Sequence, residues 1–272
     1  QWISGIGIAF YTWGRCPQFR LRRRDFRITK DTFGEIFQFS FLTCVQQSVM
    51  NLGILMVQGL VNSFGPVVMA AFAAAVKIDS FAYMPVQDFG NAFSTYVAQN
   101  YGAGQTDRIR KGILQGLVMA AIIGVCSVGL GLLLTIDGAY LHIFLSADKV
   151  TADTIRFGNH FLYVDFSMYL LLCFLFVIRN CVQGIQRAPF VLWAGASELI
   201  ARVAICLTLP ALLSGGVVSA QSPELAFYAL CAADPLAWLA ADLSLLVPFF
   251  KNMMHMNYQY LYGGVEQHLL GK

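Results

Sequence analysis

Charged residues are scarce in this 272-residue sequence, because Asp, Glu, Lys and Arg together make up only 12% of it. Soluble domains average about 25% charged residues. Hydrophobic residues reach 57%, and the mean hydropathy is +0.62. This composition argues against a soluble globular protein and favours one that lies in a membrane.

Catalytic and metal-binding motifs are also absent from the sequence. The seven cysteines form no CxxC pair and have no Cys/His spacing suited to zinc, so neither a zinc site nor a disulfide framework is implied. There is no phosphate-binding Walker loop and no GxSxG motif. We therefore expect no enzyme activity, no metal site and no bound cofactor.

The sequence does contain six long apolar runs, near residues 36–62, 66–100, 110–136, 157–184, 189–213 and 224–250. A helix needs about 20 apolar residues to cross about 30 Å of hydrocarbon. Barrel strands would instead be about 10 residues long with alternating polarity. The runs predict an all-α, polytopic integral membrane bundle of six transmembrane helices.

Basic residues cluster at every second connection between the runs. The clusters contain Arg15, Arg20, Arg22, Arg23, Arg24, Arg27 and Lys30, then Arg108, Arg110 and Lys111, then Arg187 and Lys251. By the positive-inside rule, the linker 15–33, the loops 101–111 and 185–188, and the tail 251–272 are cytoplasmic. A nucleic-acid patch is less favoured for the linker, because no aromatic stacking pattern accompanies it.

Residues 1–14 are mostly apolar and lead directly into the basic linker. A helix of this length covers roughly 20 Å, which is too short to cross a bilayer. We interpret it as the end of a preceding transmembrane helix, so that 34–250 forms the six-helix C-terminal lobe of a larger protein. An interfacial helix anchored by Trp2, Tyr11 and Trp13 is the alternative.

The second apolar run carries charges, which cost about 2.5–3.5 kcal/mol each inside a bilayer on insertion scales. At about 100° per residue, Lys77, Asp88 and Asn91 lie close to one line of the helix. Asp79 lies on another face, which a kink at Pro85 would turn inward. The charges form either a structural ion pair or a cation or proton site, and the flanking polar residues favour the site.

Polar stripes on two other runs extend this pattern. Gln47 and Asn51 belong to a stripe on the first run, which predicts either a wet cavity or contacts between helices. On the fourth run, Asp165, Tyr169 and Arg179 share one side. Asp165 is either a site residue or an interfacial one, and Arg179 either faces the site or snorkels to the cytoplasmic surface.

Two further runs contain charged residues with simpler interpretations. Glu198 and Arg202 are four residues apart in the favourable order, which predicts a local structural pair. Asp234 precedes Pro235, a residue that removes a helical hydrogen bond, and Asp242 follows two turns later. We expect Asp234 to lie near a kink.

Several segments resemble the multidrug and toxic compound extrusion (MATE) family of secondary transporters. The strongest match is YVAQNYGAG at 96–104, followed by Arg108. Weaker matches are QQSVM at 46–50, AAFAA at 70–74 and the Met84–Pro85 pair. The resemblance extends over most of the chain and corresponds to the second of the family's two six-helix halves.

The resemblance implies a lobe that faces a central cavity and exports organic cations in exchange for Na⁺ or H⁺ across the cytoplasmic membrane. The missing N-terminal lobe and membrane lipid are the implied partners. Well-known members carry a coupling glutamate on the first helix of this lobe and an aspartate on the fourth. Here the first helix has Gln47 and Asn51, and Asp165 lies earlier than the family pattern. Coupling therefore falls to Asp79 and Asp88, or to the other lobe.

We predict a cation-coupled efflux antiporter in which Asp88→Asn abolishes coupled export. The predicted coupling-ion or substrate residues are Asp88, Lys77, Asp79 and Asp165, and the predicted cavity-lining residues are Gln47, Asn51, Asn91 and Tyr169. The first alternative is a lipid-linked oligosaccharide flippase, which would need several cavity cations, for which only Lys77, Arg179 and Arg202 are available. The second is a non-transporting membrane scaffold.

Overall fold

The computed structural model of the protein describes residues 2–16 and 29–270, with the side chains of residues 31, 32, 35, 39, 188 and 252–270 outside the description. Every long regular element in the described ranges is an α-helix, which confirms the predicted all-α fold. The α-helices are α1 (Trp2–Arg15), α2 (Lys30–Val61), α3 (Pro66–Gly102), α4 (Thr106–Thr135), α5 (Leu141–Phe144), α6 (Ala152–Ser167), α7 (Tyr169–Gly184), α8 (Ala188–Ser214), α9 (Glu224–Cys231) and α10 (Ala233–Leu270).

Five or six membrane-spanning segments correspond to the six predicted apolar runs. Five segments are long and apolar enough to cross alone, and α6 with α7 gives a sixth if this pair, which is bent by 49°, is counted as one span. The five single segments are Ile36–Phe64, Pro66–Gly102, Thr106–Gly138, Pro189–Ser214 and Glu224–Lys251. The bend at Met168 was not predicted, since the fourth run contains no proline or glycine at that point.

The chain divides into two compact units, residues 1–41 and 42–272. In the first unit, α1 is 14 residues long and buries none of its side chains. The rings of Phe33, Phe37 and Phe41 stack one helical turn apart, with centroid distances of 6.0 Å for each neighbouring pair. These rings give the start of α2 an aromatic edge.

The predicted linker and tail fall partly outside the description. Of the linker 15–33, residues 17–28 lie outside the described residues. The predicted tail 251–272 begins within α10, which continues as a helix to Leu270. The cytoplasmic positions of both segments stay predictions.

The core of the second unit is built around α3, which packs against α4, α6 and α7, while α10 packs against α7 and α8. The rings of Phe72 and Phe161 meet edge to face at 4.8 Å between centroids and join α3 to α6. Ala233, Ala237 and Ala241 on α10 are all 0% exposed. Small residues at this one-turn spacing let helix backbones approach closely in a membrane.

Close approach between α3 and the end of α7 depends on Gly184. A Cβ atom added there would lie 2.7 Å from the backbone oxygen of Ser94 and 2.8 Å from Cβ of Val97. Gln186 follows with a positive φ of 62°, which turns the chain towards α8. The turn between α7 and α8 is thus a tight packing point as well as a connection.

Candidate coupling site

A cavity of about 460 Å³ lies in the second unit, where polar side chains of the membrane helices meet. Helix α2 contributes Gln47 and Asn51, α3 contributes Lys77 and Asp79, and α6 contributes Asp165. Helices α7, α8 and α10 complete the wall. The cavity therefore brings together side chains from most of the predicted crossings.

The side chains of Asp79 and Asp165 are neighbours in the cavity wall. Asp165 is 1% exposed. Both of its carboxylate oxygens, and Oδ1 of Asp79, are buried with no hydrogen-bond partner among the described residues. Two neighbouring buried carboxylates do not both stay ionised unless a positive charge joins them. The pair can therefore bind a proton or a small cation.

In the same cavity wall, two arginines and two acids form a paired network. Arg179 donates to Glu198 at 2.5 Å, and Arg202 donates to Glu198 at 3.2 Å. Arg202 also donates through Nε to Asp234 at 2.7 Å. The first three side chains are 3–5% exposed, and that of Asp234 is 21% exposed. We call these four residues the charge network; its formal charges cancel.

Glycine on α2 makes room for this network. A Cβ atom at Gly53 would lie 2.7 Å from Nη1 of Arg202 and 3.4 Å from the side chain of Leu199. The guanidinium of Arg202 therefore lies directly against the backbone of α2. The charge network thus joins α7, α8 and α10 and is covered by α2.

Side chains one turn along α3 add to the cavity wall. Ser80, Tyr83 and Gln87 line it, and Nε2 of Gln87 donates to the Tyr83 hydroxyl at 3.4 Å. The ring of Tyr83 meets that of Phe176 edge to face at 5.3 Å. Sequence reasoning did not select these residues, although they follow one another at intervals of three and four positions, which places them on one face of α3.

Three of the predicted site residues do not line the cavity. They are Asp88, Asn91 and Tyr169. Asp88 and Asn91 are exposed, as is Lys77, but Lys77 lines the cavity. Tyr169 is buried at 1% exposure, and its ring meets Trp238, a lining residue, edge to face at 6.4 Å. Tyr169 therefore supports the wall from behind.

The structure also bears on alternatives that the sequence left open for Arg179 and for Lys77 with Asp88. Arg179 is 4% exposed and paired with Glu198, so it does not snorkel to the surface. The described side chains contain no ion pair between Lys77 and Asp88. A pair between these two residues is therefore not formed among the described side chains, and a coupling role for either of them stays a prediction.

The expectation of a kink beside Asp234 has a structural counterpart. Helices α9 and α10 separate at Ala232, whose N–H bonds to the oxygens of Ala229 and Leu230 instead of continuing the α-helical pattern. Asp234 opens α10 and faces the cavity. Asp242, two turns later, is 4% exposed with no hydrogen-bond partner among the described residues for either carboxylate oxygen, and it lies outside the lining.

Within the described residues, no group of three or more His, Cys, Asp or Glu side chains is arranged to hold a metal ion. The Asp79–Asp165 pair therefore offers two carboxylates, and any bound cation would need further oxygen ligands from the cavity or from water.

Comparisons with known proteins agree with this architecture. The family model described as MatE matches residues 40–208. The probable multidrug resistance protein YoeA of Bacillus subtilis (strain 168) is 25% identical over 180 residues, which are 66% of this chain and 37% of that protein.

Solved structures show the same fold. An outward-facing multidrug resistance MATE family transporter of the MOP superfamily superposes with a TM-score of 0.73 at 12% identity, covering 94% of this chain and 54% of that one. A MOP superfamily transporter from Pyrococcus furiosus, described by the reversed polarity of its binding pocket, gives a TM-score of 0.64 at 17% identity over 76% of this chain and 42% of that one. The chain thus spans about half the length of these structures.

Proposed function

This chain belongs to the MatE family, a family of transporters rather than enzymes, and on that premise we propose that it forms one lobe of a secondary efflux antiporter. The exported substrate is a small organic cation, and the driving ion is H⁺ or Na⁺. The observation that carries the proposal is the pair of buried, neighbouring carboxylates of Asp79 and Asp165 in the cavity. Family members couple transport to ions rather than to a bound cofactor.

The charge balance of the cavity supports a cationic substrate. The charge network is neutral as a whole, which leaves Asp79 and Asp165 against the single cation Lys77 among the remaining described lining residues. With both acids ionised, the lining is net negative. A proton or Na⁺ at the pair lowers this negative charge and weakens the attraction for an organic cation.

Alternating access follows from this competition. A ligand shifts a conformational equilibrium only by the difference in its affinity for the two states. An external proton or Na⁺ neutralises the acid pair and releases the substrate outwards, and release of the ion inwards restores the charge that binds the next substrate. A second lobe that faces the cavity is the proposed partner, because the chain covers 54% of a solved transporter of this fold.

The proposed location is the cytoplasmic membrane, with the loops 101–111 and 185–188 on the cytoplasmic side. The support is the excess of basic residues at these connections.

The flippase alternative loses support from the ion pairs. Of the three cavity cations that it would use, Arg179 and Arg202 are each paired with an acid. Only Lys77 remains to bind an anionic substrate among the described lining residues. A non-transporting scaffold has no need for two neighbouring unpaired carboxylates inside a membrane, where each is costly.

The test is ethidium efflux from cells that express the full-length gene, with the sodium and proton gradients collapsed separately. We expect efflux to need one gradient, and Asp165→Asn to remove most of the gradient-driven efflux, because an ionisable residue inside the membrane is a functional-site candidate and this one belongs to the acid pair. Asp88→Asn, the variant that the sequence ranked first, is the matched control, because Asp88 is exposed and outside the lining.

Equal efflux from Asp165→Asn and the wild type, at equal amounts of folded protein, would contradict the assignment of the acid pair. Loss of efflux in Asp88→Asn alone would return the coupling role to the exposed stretch of α3 around Asp88. No efflux under any gradient would favour the flippase or the scaffold.

A further inference from the structure

A groove of about 540 Å³ runs between α8 and α10, away from the cavity. Arg187 stands just before α8, and Lys251 marks the end of the last apolar segment. Both cations line the groove and are exposed, and neither has an ion pair among the described side chains. The groove therefore has two positive charges at one end.

The walls of the groove are apolar and aromatic. Phe190 and Trp193 follow Arg187 at intervals of three residues, so they continue along one face of α8. Trp193 is 67% exposed, and Val247 on the opposite wall is 74% exposed. Large exposed apolar side chains next to cations match the composition of a site at the boundary between lipid headgroups and acyl chains.

The groove ends at a contact between the two helices. The Ser197 hydroxyl donates to the Ser244 hydroxyl at 2.9 Å. From the cations to Ser244, α10 runs for two turns, roughly 10 Å, which is within the depth of one hydrocarbon leaflet of about 15 Å. An acyl chain that entered at the cations would meet this contact before the middle of the membrane.

We propose that this groove is a binding site for an anionic phospholipid. The phosphate lies between Arg187 and Lys251, and an acyl chain follows Phe190, Trp193 and Val247. Charge complementarity selects an anionic lipid over a zwitterionic one, because each basic residue at an anionic membrane surface strengthens binding about fivefold. The site is separate from the transport cavity, so its occupancy does not depend on the transported substrate.

The experiment uses the purified full-length protein in detergent, titrated with phosphatidylglycerol or phosphatidylcholine that carries brominated acyl chains. Bromine quenches tryptophan fluorescence at short range, and Trp193→Phe identifies the quenched fraction. For the wild type we expect phosphatidylglycerol to quench Trp193 at a concentration on the order of 30-fold lower than phosphatidylcholine, from two cations. Raising the salt concentration to 1 M should reduce this preference.

The variant that tests the charges combines Arg187→Gln with Lys251→Gln, and it should lose the preference for the anionic lipid. Its matched control combines Arg108→Gln with Lys111→Gln, which removes two exposed cations on the same predicted membrane side but outside the groove. The control should keep the preference. If the first variant does not fold, the salt dependence of the wild type and the charge-conserving pair Arg187→Lys with Lys251→Arg still test the proposal.

Equal quenching of Trp193 by the two lipids would overturn the proposal and leave only an ordinary lipid contact. Competition by soluble glycerol phosphate at millimolar concentration would also overturn it, because the site would then bind a free anion rather than a lipid. Loss of preference in the control variant would assign the effect to the overall charge of that membrane side.

Discussion

Replacing Glu198 by glutamine removes the carboxylate that two buried arginines share. Arg202 keeps its 2.7 Å bond to Asp234. Arg179 keeps only the contact between its Nη1 and the sulfur of Met50, at 3.4 Å, among the described hydrogen bonds. Glu198→Gln therefore leaves the buried Arg179 guanidinium without a direct ion-pair partner among the described side chains.

The expected cost follows from burial. Removing one partner of a buried ion pair costs about 3–5 kcal/mol, and the side chains of Arg179 and Glu198 are 5% and 3% exposed. The matched substitution Glu224→Gln breaks a surface pair with Arg156. The side chain of Arg156 is 50% exposed and that of Glu224 is 47% exposed. Surface pairs contribute about 0–1 kcal/mol. At about 2–4 °C per kcal/mol, we expect a fall in Tm of about 10 °C for Glu198→Gln and of about 3 °C or less for Glu224→Gln.

The assay is thermal unfolding of the purified full-length protein with a thiol-reactive dye. Cys173, Cys181, Cys206 and Cys231 are buried and reduced, so their labelling reports loss of the fold.

A double variant, Glu198→Gln with Arg179→Met, removes both charges of the broken pair and should recover most of the lost stability. Equal falls in Tm for Glu198→Gln and Glu224→Gln would refute the reasoning. So would a double variant that is no more stable than Glu198→Gln alone.

Two further predictions test the packing and the topology. Gly184→Ala should lower the free energy of unfolding by about 1–3 kcal/mol, because the new methyl group meets the Val97 side chain and a neighbouring backbone oxygen. The control Gly129→Ala should not lower the free energy of unfolding in this way, because a Cβ atom at Gly129 would have no neighbouring atom within 4 Å. Equal effects of the two substitutions in denaturant unfolding would contradict the close packing at Gly184. For the topology, Arg108→Cys should react with a membrane-impermeant maleimide only after cells are permeabilised, and Gln221→Cys should react in intact cells. Labelling of both in intact cells would contradict the predicted sidedness.

The membrane-spanning segments could be predicted from sequence because hydropathy is a property of each segment alone. The break within the fourth apolar run could not. It occurs at Met168, and the sequence has no proline or glycine at that point to indicate a break. Its position depends on how α6 and α7 pack against α3 and α10, which is information that a single segment does not carry.

The same limit applies to the site. The pairing of Glu198 with Arg202 could be predicted because the two residues are one turn apart on the same helix. Their contacts with Arg179 and Asp234 cross between helices and depend on the tertiary packing. Periodicity grouped Asp88 with Lys77 along α3, but it could not determine which stretch of that helix borders the cavity. Asp79, on a different predicted face, borders it instead.

The neutrality of the charge network has an electrical consequence. Moving one elementary charge across the membrane potential takes about 2.3 kcal/mol per 100 mV. A lobe that moves the linked side chains of Arg179, Glu198, Arg202 and Asp234 together carries no net charge through this field. In the transport cycle proposed above, the voltage dependence would then report the remaining charged groups of the cavity, Lys77, Asp79 and Asp165, together with the charge of the substrate.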